Sequence, residues 1–355
     1  MEFGLSEEQT LLQDSVNRFL DAQVPLERVR AFAGQQEDQD VWRGLAELGI
    51  CGLLVPEDAG GVGLSCMDAA LVAESLGYHA TPAPFLATAV LAPLALTLAN
   101  AEADDLLPRI ATGELRVGAA IGDAIAARQD AGITARGERL SGKALFALDS
   151  PADCYLVADR ERRLYLAAAD ATGLSTRPLT TIDRTRRSAE LVFDNTPARL
   201  VSEDPEVFHR VVDAGRVMLA ADTLGAAQNM LDQAVEYAKQ REQFNRPIAS
   251  FQAVKHMCAE MAAELEPCRA MVWYAGHALD HVPEEARLTA CHTKAHLSEV
   301  GRFVAKTATE VHGGMGFTDL LGLHYWFKRI GFNRQMLGAP ELVREEAARL
   351  QNLAV

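Results

Sequence analysis

At 355 residues and a formal net charge of −15, with an isoelectric point near 5.1, the chain is long enough for two or three domains, since single cores stop growing at about 250–300 residues. Its acidity excludes nucleic acid and anionic membrane surfaces as partners, because no basic stripe offsets the overall repulsion. Any anionic ligand must be held by local cations. The longest apolar run, 87–99, contains Pro93 and falls short of the roughly 20 residues that cross a bilayer, so no membrane span is expected. The N-terminal MEFGLSEEQ is acidic and lacks the basic and apolar regions of a signal peptide, which predicts a cytoplasmic protein. Cys51, Cys66, Cys154, Cys258, Cys268 and Cys291 show no metal-ligand spacing and read as buried free thiols.

In chain order, Ser6 and Gln9 form a capping-box pattern, and Leu12, Val16, Phe19 and Leu20 follow at helical spacing. A second helix is predicted around 41–48. Pro56, Gly60 and Gly61 then force a loop before a third helix near 67–76. The paired glycines lack the GxxxxGK[ST] pattern and a preceding strand, so they read as a structural turn rather than a phosphate loop. Alanine-rich and leucine-rich helices continue to about residue 112. From about 117 the texture changes to alternating or β-rich segments at 133–148, 154–159, 163–169 and 188–193, separated by turn residues, which predicts a small antiparallel β domain. After Pro205 helical periodicity returns to the C-terminus, with breaks at Pro247, Pro283, 313–316 and 338–340. Four long helices and a terminal one would pack as a bundle. The predicted architecture is mostly α with a β middle domain: an N-terminal helical domain at 1–116, the β domain at 117–202 and a helical bundle at 203–355.

The corner YAKQREQFNRPI, 237–248, closes a helical run over 217–239 and precedes a second helix led by Ser250, Phe251 and Gln252. Proline cannot continue a helix and pushes the preceding residue towards extended geometry, so the two helices meet at a tight antiparallel corner. Arg241 here could meet an anion, or it could complement the negative end of the helix macrodipole.

The three blocks in this order, with REQFNRPIASFQAVKH and EVHGGMGFT, the opening FGLSEEQ, the loop LLVPEDAGGVG, the strand LSGKALF and TIDRTRRSAELVF, resemble the acyl-CoA dehydrogenase family of flavoproteins over essentially the whole chain. The resemblance implies a tetramer with FAD at subunit interfaces, an acyl-CoA thioester desaturated between its α and β carbons in fatty acid or steroid side-chain catabolism, and an electron-transfer acceptor. Base and flavin would sit on opposite faces of the substrate. It also implies that the ADP half of FAD lies largely on a neighbouring subunit. The matching positions are Arg241 for the pyrophosphate, Gln243 and Phe244 beside it, Gln252 on the next helix, and Glu310 to Gly314, with Gly313 and Gly314 letting backbone approach the cofactor.

The flavin-ring side departs from the family. Where members carry a loop such as TEPGAGSD, this chain reads AAIGDAIAARQDAG, and an expected aromatic and threonine fall at Leu145 and Ala147. The catalytic glutamate position falls at Leu337, and the alternative position on the first bundle helix falls at Gly215, beside Arg216. Glu341 and Asp222 are near in sequence, but read as a solvated helix-start glutamate and a helix-interior aspartate. The retained residues fall on one pole of the cofactor site and the losses on the other. This resembles heteromeric acyl-CoA dehydrogenases, in which two paralogous chains share one FAD. Also open are a self-sufficient homotetramer with an unrecognised base, a related oxidase or monooxygenase, and a structural relative that binds no flavin.

Overall fold

The computed structural model describes residues 4–34, 39–101 and 105–354. Phe3, where the FGLSEEQ match begins, and Val355, where helical periodicity is expected to end, lie outside the described residues. The N-terminal part holds α1 (Glu7–Gln23), α2 (Leu26–Ala33), α3 (Gln39–Glu47), α4 (Cys66–Tyr78), α5 (Ala92–Leu98), entered through a π-helical segment at Leu86–Leu91, and α6 (Leu106–Ala111). Both capping-box bonds at the start of α1 are made: the Gln9 N–H donates to Ser6 Oγ, and the Ser6 N–H to Gln9 Oε1, each at 3.1 Å. Helix α4 is apolar around most of its circumference and buried along most of its length, as such a composition requires.

Eight strands follow: β1 (Val117–Ala120), β2 (Gly132–Ala135), β3 (Arg139–Leu148), β4 (Cys154–Ala158), β5 (Leu164–Ala168), β6 (Leu174–Leu179), β7 (Ser188–Pro197) and β8 (Arg199–Ser202). They lie in the order β6-β7-β3-β1-β4-β5-β8, with β2 beside β3. The expectation of an antiparallel sheet needs one correction, because β1 and β4 run parallel, with Ala119 opposite Leu156. A parallel pair needs a crossover, and the β2–β3 hairpin between these strands supplies it. Inward-facing Leu140, Tyr155, Tyr165, Leu191 and Phe193 give the sheet a core of its own.

The chain then forms α7 (Pro205–Gln240), the short strands β9 (Glu242–Gln243) and β10 (Arg246–Pro247), α8 (Gln252–His281), α9 (Pro283–His312), α10 (Leu323–Gln335) and α11 (Pro340–Leu350). Three of these helices are long. The fourth, α10, has only 13 residues, shorter than the sequence pattern suggests, because Gly322 and the corner after Gln335 bound it. At 36 residues, α7 is a rod of about 54 Å. It crosses α4 backbone to backbone: a Cβ added to Gly77 would lie 2.0 Å from Asp222 O, and one added to Gly225 would lie 1.9 Å from Glu74 O.

One buried polar junction ties helical blocks and sheet together. Arg329 of α10 donates from Nη2 to Asp222 Oδ2 of α7 at 2.6 Å. Its Nη1 reaches Thr81 O at 3.1 Å and Thr185 Oγ1 at 2.9 Å. Arg186 Nη2 adds a second guanidinium on Asp222 at 2.7 Å, and Asn333 Nδ2 adds an amide at 2.6 Å. Burial alone would push the Asp222 carboxyl up, but Arg186 and Arg329 hold it down at about 2.

All six cysteines are free thiols. Four are buried, whereas Cys154 and Cys258 are only half-buried, against the expectation for them. No helix among the described residues is long and apolar enough to cross a membrane.

Candidate functional site

The corner after α7 is a two-residue hairpin. Phe244 and Asn245 both take left-handed backbone angles (φ 53° and 58°), the geometry that matches the twist of paired strands, and Arg246 pairs with Gln243 across it. The Arg241 N–H donates to Tyr237 O at 2.8 Å, and the Ile248 N–H closes the corner on Arg241 O at 2.7 Å. The side chains of Arg241, Gln243, Phe244 and Gln252 are exposed, and Phe244 is 87% accessible. Arg241 makes no ion pair among the described residues. Its guanidinium is therefore free to act on an external anion, while Arg246 sits over the Phe251 ring at 4.1 Å.

The end of α9 stands beside this corner, because Tyr237 stacks on His312 with ring centroids 4.6 Å apart. Glu310 is exposed and pairs with Lys306 at 3.6 Å. Gly313 takes φ 59° and ψ −138°, close to a region that only glycine occupies. A Cβ at Gly313 or Gly314 would meet nothing within 4 Å, so the main chain there is open to a ligand. The structure thus gathers Arg241, Gln243, Phe244, Gln252, Glu310, Gly313 and Gly314 at one end of the bundle. Exposed donors and bare backbone suit an ADP group.

The opposite pole is closed on itself. Asp123, in the turn after β1, accepts the Leu145 N–H at 2.9 Å and Arg128 Nη1 at 3.0 Å, and Arg128 lies over Phe146 at 5.4 Å. A strand donor is thereby consumed by a carboxylate of the same chain. Leu145 and Ala147 add no side-chain donor. A flavin ring, whose carbonyl and ring-nitrogen acceptors need donors, therefore finds this one already taken.

The two family base positions, Gly215 and Leu337, face each other. A Cβ added to Gly215 would lie 2.5 Å from Leu337 Cδ1 and 3.1 Å from Leu91 Cδ2. Leu337 is 4% accessible and is held in a left-handed conformation, φ 54°. Arg216 donates from Nε to Leu337 O at 3.0 Å and from Nη2 to Glu346 Oε2 at 2.7 Å. Glu346 is also held by Arg287, Nη2 at 2.7 Å. Burial pushes the Glu346 carboxyl up, but the bond to Arg216 and the charge of Arg287 outweigh it and hold it at about 2. Asp213, Cys291 and Glu346 converge closely enough to suggest an ion, yet Arg216 Nη1 lies 3.4 Å from both Asp213 Oδ1 and Cys291 Sγ, so the guanidinium already supplies the positive charge.

Beside this cluster lies a cavity of about 480 Å³ lined by His209, Asp213, Arg216, Arg287 and Glu346 among others. Burial pushes the Asp213 carboxyl up to about 7 despite Arg216. Asp222 serves the buried junction, and Glu341 is an exposed first-turn residue paired with Arg334 at 3.0 Å. Asp123, Asp213, Arg287 and Glu346 were not recognised from the sequence. Glu346 lies 130 residues from Arg216, and no local pattern announces such a pair.

The family model described as acyl-CoA dehydrogenase, N-terminal domain, matches residues 6–114, and that described as acyl-CoA dehydrogenase, C-terminal domain, matches residues 206–350. Acyl-CoA dehydrogenase IpdE2 of Mycobacterium tuberculosis is 33% identical over 355 residues, covering 98% of this chain and 97% of that protein. Among solved structures, a variant of the Tcur3481-Tcur3483 steroid ACAD superposes with a TM-score of 0.89 at 30% identity, over 98% of each chain. The ChsE4-ChsE5 complex from Mycobacterium tuberculosis superposes with a TM-score of 0.91 at 25% identity, over 100% of each chain. With the helical blocks at both ends matched by the family models, and a relative one-third identical over nearly its whole length, the chain belongs to the acyl-CoA dehydrogenase family.

Proposed function

We propose that this chain is the non-catalytic subunit of a heteromeric, FAD-dependent acyl-CoA dehydrogenase, and that it completes the FAD site of a paralogous partner chain. The observation that carries this reading is the contrast between its poles. The corner at Arg241 is open and offers donors, whereas the ring pole is occupied by its own Asp123 contacts and by Leu337. The length of α7 adds to it. Gly215 and Arg241 are about 39 Å apart along α7, which sets the open corner far from the ring pole of the same chain. A cofactor held at this corner therefore places its reactive ring in another chain.

FAD, when bound, supplies the hydride acceptor for α,β-desaturation of an acyl-CoA thioester, and an electron-transfer partner then reoxidises it. Arg241 would pair with the pyrophosphate, Gln243, Phe244 and Gln252 would line it, and Glu310, Gly313 and Gly314 would meet the adenine end. The partner would contribute the proton-abstracting carboxylate. The steroid ACAD and the ChsE4-ChsE5 complex among the similar structures support a two-chain assembly, and the former favours a steroid thioester as substrate. The division into domains at 1–116, 117–202 and 203–355 belongs to the same proposal, with β1 starting at Val117 and α7 at Pro205.

The test is flavin stoichiometry, measured on the chain alone and co-purified with its nearest encoded paralogue. About one FAD per pair, with acyl-CoA oxidation only in the mixture, is the expected result. A full complement of FAD and turnover from the chain alone would overturn it. Arg241→Ala should weaken FAD binding in the mixed complex by about 1.5–3 kcal/mol.

A self-sufficient enzyme remains the second reading because Asp213 is a cavity-lining carboxyl held near neutrality, a property expected of a general base. On that reading Asp213→Asn abolishes turnover by the isolated chain.

A further inference from the structure

We infer that the stacked rings of Tyr237 and His312 are the positioning device of the adenine end: they set the spacing between Arg241 and the Gly313–Gly314 backbone so that one ADP group is gripped by both. The inference rests on the half-site reading above and adds to it Tyr237, outside the family-matched positions, and a role for the His312 ring within the matched 310–314 segment.

Tyr237 lies one helical turn before Arg241, and its carbonyl accepts the Arg241 N–H at 2.8 Å. A displacement of Tyr237 therefore carries the arginine with it. His312 immediately precedes Gly313, whose N–H donates back to Glu310 O and whose dihedrals leave no latitude for another residue. The imidazole is 4% accessible, and its Nδ1–H donates to Ala308 O at 2.7 Å, which fixes the ring plane. Burial holds its pKa below the ordinary 6.5, so the ring that meets Tyr237 is neutral.

The two planes are inclined by only 29°. Such a stack adds stabilisation beyond the area it buries and resists sliding. The Tyr237 hydroxyl makes no hydrogen bond among the described residues, so the tyrosine contributes through its ring face. Arg241 and Gly313 are 72 residues apart in sequence (313 − 241), and this ring pair bridges the helix ends that carry them.

The test uses the full chain co-purified with its paralogue, titrated with FAD by fluorescence and with 5′-ADP by calorimetry. His312→Ala and the half-buried Tyr237→Leu should weaken both ligands about fivefold to tenfold, while His312→Phe, which keeps a stackable ring, should stay within about twofold of wild type. A melting curve on each variant separates this from general destabilisation. Unchanged ADP affinity in both His312→Ala and Tyr237→Leu, whatever their melting points, overturns the inference, as does a His312→Phe complex as weak as His312→Ala. Failure of the wild-type complex to bind either ligand overturns the half-site reading and this inference together.

Discussion

Asp222→Asn removes one negative charge from the junction of α4, α7, α10 and the sheet while keeping side-chain volume. Two effects add. The carboxyl sits at about 2, below its ordinary 3.8, which corresponds to about 2 kcal/mol of charge-linked stability at neutral pH. The substitution also leaves Arg186 and Arg329 buried without their counterion, and breaking a buried pair from one side costs about 3–5 kcal/mol. The second effect is the larger and sets the expectation. With an unfolding entropy of about 2.1 cal/mol/K per residue, each kcal/mol moves the melting point of a chain this long by a little over 1 °C, so a fall of about 4–7 °C is expected at pH 7.

The folded pKa is depressed, so the wild-type contribution is full above about pH 4 and disappears as pH falls towards 2. The variant should lack that acid limb. Thermal melts by circular dichroism between pH 2 and pH 7 measure both. An Asn variant within about 1 kcal/mol of wild type at pH 7, or one with an unchanged acid limb, would refute the assigned role. Turnover of the mixed complex should survive wherever it stays folded, since Asp222 is no base.

Other substitutions probe the remaining features. Gly225→Ala places a Cβ 1.9 Å from Glu74 O, where backbone meets backbone and neither can yield, so a loss of more than about 3 kcal/mol in denaturant unfolding is expected. Lys294 is 1% accessible, and its Nζ donates to Asn333 O at 2.8 Å and Arg334 O at 3.1 Å. Burial, then the charges of Arg216 and Arg334, lower it from 10.5 to about 7. The unfolded chain therefore binds the extra proton between pH 7 and pH 10.5, and stability should rise with pH across that window by up to about 1.4 kcal/mol per unit. Lys294→Met should flatten this rise in urea titrations. Leu337→Glu puts a carboxylate at the family base position, yet on the half-site reading the isolated chain should still fail to oxidise acyl-CoA, because Asp123 takes a donor that the flavin ring would need; turnover by that variant would overturn that reading.

Local chemistry was legible where neighbours in sequence make the structure. Ser6 and Gln9 form their box, and the helix ends at Arg241 with the corner that Pro247 demands. The left-handed pair Phe244 and Asn245 was not, since a phenylalanine gives no hint of positive φ. Strand β6 escaped because its residues 174–179 lie on an exposed edge, with no alternation between a wet and a dry face. The parallel pairing of β1 with β4 depends on how hairpins are inserted, which periodicity does not encode. In the site, residue identities on the open pole could be matched by position. The closed pole depends on Arg216 meeting Glu346 and Asp123 meeting Leu145, pairings that only the folded chain creates.

The α4–α7 crossing bears on which parts of such a chain are free to change. At Gly77 and Gly225 two main chains lie against each other with nothing between them. The angle at which the N-terminal helices meet the bundle is set there by peptide groups, which every sequence shares. Side chains elsewhere are thereby released from setting that angle: Leu337 and Gly215 can vary without altering the frame that carries Arg241 at the far end of α7. Scaffold and side-chain chemistry are thus separable inheritances, and substitutions in the second leave the first in place.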